Sequence, residues 1–118
     1  MAAGARCGAR NEGKMHWYDY LAWFFGGAFL ANTIPHLVNG ISGRSFHSPF
    51  ANPPGKGLSS STVNVLWGFF NLAVAYVLVV RVGSFDFHST AQVLVLAAGF
   101  LLLSLMTART FARFQSGR

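Results

Sequence analysis

Three long stretches of this chain carry no Asp, Glu, Lys or Arg: from Asp19 to Arg44, from Lys56 to Arg81, and from Asp86 to Arg109. About 20 mostly apolar residues suffice to cross the hydrocarbon core of a bilayer as a helix. Isolated strands leave backbone groups unsatisfied in lipid, so each stretch should be helical. The expected fold class is all-α and integral to the membrane, a three-transmembrane-helix bundle with spans at about 20–39, 62–80 and 90–108. Composition agrees: 53% of the residues are hydrophobic and only 10% charged, against roughly 25% charged in a soluble domain.

Two other readings of these runs are weaker. Arg6, Arg10 and Lys14 precede an apolar segment, as in a secretory signal. However, Phe29-Leu30-Ala31 is a poor cleavage pattern, and apolar sequence resumes at Ile34, Leu37 and Val38. A buried helical hairpin of a soluble protein would show a polar face, whereas Val93 to Leu103 is apolar nearly all round.

Residues 1–14 contain four Ala, three Gly and no large apolar residue beyond the initial Met, so a disordered tail is expected. Met15 offers an alternative start that would make this tail an upstream extension. Residues 15–118 then form a single membrane domain. Trp17, Tyr18, Tyr20 and Trp23 cluster where the first span should enter the headgroup region, a common site for amphipathic rings. Ser59 to Thr62 supply N-caps for the second helix, and Ser89 or Thr90 for the third. Pro49, Pro53 and Pro54, with several Gly, predict an irregular first loop, with Phe46 and Phe50 dipping into the interface.

The net charge of +6 comes from nine scattered Lys and Arg without a basic run, which favours anionic lipid over nucleic acid as the partner. Arg109 and Arg113 share a face at i, i+4 near the end of the third helix, a headgroup-binding arrangement. With three spans, Arg6, Arg10, Lys14 and Arg81 lie on one side, and Arg44, Lys56, Arg109, Arg113 and Arg118 on the other. Counted from Met15 the balance becomes one against five. The positive-inside rule then puts the N-terminus outside and the C-terminus in the cytoplasm, in a bacterial inner (plasma) membrane.

Polar groups inside the spans are the candidates for function. Asn32, His36 and Asn39 recur at i, i+4, i+7 and so line one helix face. Beside them, Pro35 removes a backbone donor and crowds the carbonyl of Ala31, which predicts a kink. Asn64, Gly68, Asn71 and Ala75 make a matching polar and small stripe on the second span, and Gln92, Gly99 and Thr107 a looser one on the third. Gly26 and Gly27 add close-packing positions. Together Asn32, His36, Asn39, Asn64 and Asn71 form an expected intramembrane polar face, because polar atoms facing hydrocarbon are costly. His36 is either a proton carrier or a group that fixes helix register.

Other motifs are sparse. His16, Asp19, Asp86 and His88 fall on one side of the membrane and have the ligand types of a zinc or non-haem metal site. Such short spacings arise readily by chance, so no metal is expected. The single Cys7 excludes an intrachain disulfide and a Cys-rich cluster. Pro53 to Ser60 has a phosphate-loop composition without its order, and no preceding strand. No cofactor is expected. Three function classes remain: an accessory, scaffold or regulatory subunit of a membrane complex, an oligomeric small transporter or channel using the Asn32/His36/Asn39 face, or a membrane enzyme on a lipid-soluble substrate. The first is preferred, and an enzyme disfavoured, because no extramembrane domain of size exists while the helices offer wide lateral surfaces. Its partners would be lipids and other membrane helices, as a homo- or hetero-oligomer.

Overall fold

The computed structural model describes residues 15–116; the expected disorder of residues 1–14 lies outside them. Three helices dominate: α1 (Trp17–Ile41), α2 (Ser61–Tyr76, continued by a wider π-helical turn over Val77–Val82) and α3 (Thr90–Ser116). All three are long and apolar enough to cross a membrane, and they lie in a body 55 Å long.

Local chemistry sets the helix ends. Asp19, in the first turn of α1, accepts a hydrogen bond from the His16 backbone N–H at 3.0 Å and puts negative charge at the positive end of the helix dipole. At the other end Gly43 takes φ +80°, a left-handed conformation that suits glycine. There the N–H of Arg44 reaches the Asn39 carbonyl (2.8 Å) and that of Gly43 the Gly40 carbonyl (3.0 Å), the paired bonds of a Schellman turn. Ser60 caps α2 by accepting from Val63 N–H at 3.2 Å. Ser89 caps α3 through Gln92 N–H at 3.3 Å. α1 remains helical through Pro35.

α1 occupies the middle. It packs on α2 along one side and on α3 along another, whereas α2 and α3 scarcely touch. The adjacent glycines of α1 show why: a Cβ on Gly26 would meet Val79 of the π-turn, and one on Gly27 would meet the backbone of Leu96 and Phe100 on α3. Successive helical residues lie 100° apart, so this pair opens two neighbouring faces for close approach. The buried residues of α2 are Asn64, Gly68, Asn71 and Ala75, the stripe expected from spacing, and those of α3 are Gln92 and Gly99; Thr107, the third member expected there, is only half-buried. Outward positions are apolar, with Leu66 66% exposed and Leu94 62%, as suits contact with lipid.

Two expectations need correction. Trp23 does not anchor in the headgroups: it is 1% exposed, and its indole N–H donates to the Gly83 carbonyl at 3.0 Å, tying α1 to the end of the π-turn. The first loop is not wholly irregular either. Phe46–His47 (β1) pairs antiparallel with Leu58–Ser59 (β2), Phe46 opposite Ser59, and this small ribbon folds over the ends of the helices. Phe46 is buried there rather than in the interface, while Phe50 stays 65% exposed.

Candidate functional site

Beneath the ribbon, α1, α2 and the loop share a buried polar centre at Asn64. Its side-chain N–H group faces three backbone carbonyls, those of Phe46 (3.2 Å), Ser59 (3.2 Å) and Ser60 (3.0 Å). That orientation turns Oδ1, a pure acceptor, toward His36 Nδ1 at 2.7 Å. His36 therefore donates from Nδ1, and in the neutral ring Nε2 is left as the acceptor. Asn64 is fully buried and His36 is 2% exposed. One side chain on α2 thus fixes the loop backbone and the ring of α1 together.

A second histidine sits in the same centre. His47 Nδ1 donates to the Lys56 carbonyl at 2.7 Å across the ribbon. Its ring stacks on Phe111 of α3 (centroids 5.3 Å apart, 9° between planes). Phe46 fills the space between the two histidines, 5.6 Å from His36 and 5.2 Å from His47, and also contacts Phe111 at 4.9 Å. This aromatic cluster joins α1 and α3 to the ribbon, and Trp67 of α2 reaches it through His36, with ring centroids 6.3 Å apart. Ser48 and Ser59 close it with a hydroxyl–hydroxyl bond of 2.5 Å. Among the described residues, His47 Nε2 and Trp67 Nε1 are buried without a hydrogen-bond partner, the second always a donor and the first an acceptor only in the neutral ring.

The expected polar face is divided. Asn32 donates to Asn71 Oδ1 at 3.1 Å, a bond between α1 and α2, and Asn71 in turn donates to the Trp67 carbonyl at 2.7 Å. His36 and Asn64 form the second interhelical pair. Asn39 joins neither. It donates to the Pro35 carbonyl at 2.7 Å and accepts from Arg44 Nε at 2.9 Å, so it links the end of α1 to the loop. Each of the five residues is hydrogen-bonded within the chain.

The four outer candidates stay in local pairs. His16 lies 3.7 Å from Asp19, and His88 3.5 Å from Asp86. No group of three or more His, Cys, Asp or Glu suited to a metal occurs among the described residues. Arg109 and Arg113 are exposed on α3. Sequence reasoning missed His47, Phe111 and Trp67. The one available signal was the Phe46-His47-Ser48 triplet, a short strand-compatible run inside a Pro- and Gly-rich loop.

These features define a helical protein with three helices able to span a membrane and a polar and aromatic seal at one end. Comparison of the chain with protein-family models, curated proteins and solved structures finds no match.

Proposed function

We propose that this chain is an accessory, scaffold or regulatory subunit of a membrane complex, working as a compact packing element. The observation that carries this reading is that Asn32, His36, Asn39, Asn64 and Asn71 all bond inside the chain. Side chains whose polar atoms are already paired within the chain are less available to line a shared polar path, as a channel made by oligomerisation needs. What remains outward on α2 and α3 is apolar surface broad enough to lie against other helices. Purification from native membranes in mild detergent, followed by mass spectrometry, tests it. A different membrane protein should copurify in fixed stoichiometry. Recovery of the chain only as a homo-oligomer with ion or solute flux in proteoliposomes would favour the channel instead.

The same reading places the chain in a bacterial inner membrane with its N-terminus outside. Among the described residues Arg44, Lys56, Arg109 and Arg113 lie at the ribbon end, whereas Arg81 lies at the other end with Asp19 and Asp86. Four cations against one favour a cytoplasmic ribbon and C-terminus. An alkaline phosphatase fused at the C-terminus should therefore be inactive; an active fusion would reverse the orientation.

A further inference from the structure

We propose that the groove between α1 and α3, on the side where Asn32 meets Asn71, binds one anionic phospholipid, with an acyl chain along the groove and the phosphate held by Arg109 and Arg113. The groove encloses about 380 Å³, and its walls are almost wholly apolar, formed by residues such as Phe25 and Phe29 on α1 and Leu102 and Met106 on α3. Asn32 and Asn71 also border it, but they bond to each other. Hydrocarbon is therefore what the groove accommodates.

Charge complementarity selects the headgroup. Leu102, Met106, Arg109 and Arg113 stand at i, i+4, i+7 and i+11, so the wall of the groove continues directly into the two guanidinium groups. At 1.5 Å per residue, these follow Met106 by about 5 Å and about 10 Å along the axis. No acid of the chain neutralises them among the described residues, where the ion pairs are His16 with Asp19 and His88 with Asp86 at the far end.

Depth points the same way. Phe111 lies beside His36, with ring centroids 6.4 Å apart, five residues before the end of α1. Arg109 precedes Phe111 by two residues on α3, so it lies about 10 Å along the axis from the end of α1, level with α1 rather than beyond it. An exposed arginine beside an apolar, lipid-facing groove is matched by a lipid phosphate, which guanidinium binds bidentately.

The test uses the purified full chain in phosphatidylcholine nanodiscs, titrated with phosphatidylglycerol and read by native mass spectrometry and by the unfolding midpoint. One phosphatidylglycerol per chain should be retained, with a raised midpoint. Replacing both arginines (Arg109→Gln with Arg113→Gln) should weaken retention about 30-fold. Met106→Trp, at a position already 56% exposed, should leave the fold intact but fill the groove and abolish retention with both arginines present. Equal retention of phosphatidylcholine, or unchanged retention in the double arginine variant, overturns the site. Unchanged phosphatidylglycerol retention in Met106→Trp also overturns it, since headgroup attraction alone would then suffice.

Discussion

Asn64→Leu should destabilise the protein by about 3 kcal/mol, roughly a hundredfold in the folded-to-unfolded ratio, although leucine keeps the branched shape of asparagine. The loss arises from stranded partners rather than from a cavity. Leucine cannot accept from His36 Nδ1 or donate to the carbonyls of Phe46, Ser59 and Ser60, and both Asn64 and His36 are buried. Each buried group left unpaired costs about 1–3 kcal/mol. An ordinary interhelical hydrogen bond in a membrane averages only about 0.6 kcal/mol, because the unfolded helices find other partners. Asn71→Leu supplies that comparison, since it removes one bond from Asn32 and one to its own helix. Asn64→Asp keeps an acceptor for His36 but sets its second carboxylate oxygen against the three carbonyls, so it should cost at least as much as Asn64→Leu. Unfolding of the three variants in mixed micelles gives the order directly. An Asn71→Leu effect equal to that of Asn64→Leu would show that Asn64 is not the hub.

Sequence periodicity reveals how far such a centre can be read in advance. Asn64, Gly68, Asn71 and Ala75 were legible because a regular helix repeats its buried face at i, i+4, i+7, i+11, and all four are buried. Gln92 and Gly99 followed by the same rule. Asn39 broke it. Its spacing matches Asn32 and His36, yet α1 ends in the Schellman turn at Gly43, where the loop rather than a facing helix supplies its partner, Arg44. His47 was illegible for a related reason, since a loop has no period and only the ribbon pairing brings its ring onto Phe111. Trp23 shows a third kind of limit. An aromatic ring near the end of a span looks the same whether it faces headgroups or core, and the partner that decides it, Gly83, lies sixty residues away. The central place of α1 was half visible, as adjacent Gly26 and Gly27 already offered two close-packing faces.

Gly99→Val is expected to release α3 from the rest of the molecule. A Cβ at Gly99 would overlap the Phe24 carbonyl, and its nearest neighbours are all backbone atoms of α1. No rotamer change can relieve such an overlap, so the helices must separate along their whole seam. Gly27 faces the reciprocal limit, with the Leu96 carbonyl overlapping its Cβ position and Phe100 N only 3.1 Å away. Overpacking a tight core costs about 1–3 kcal/mol, and the upper end or beyond applies where backbone meets backbone. α3 has little else to hold it, because α2 scarcely touches it and its remaining ring anchors are Phe111 and Phe114 against His36, Phe46 and His47. Expression of residues 1–88 and 89–118 as two chains isolates this contact. The wild-type pieces should copurify, and Gly99→Val should reduce recovery of the second piece by at least about tenfold. Gly43→Ala is the contrasting change: nothing lies within 4 Å of its Cβ position, but φ is +80°. It should cost about 1 kcal/mol through local strain and leave the association of the pieces intact. If Gly99→Val pieces associate normally, the close approach of α1 and α3 is not what holds the third helix in place.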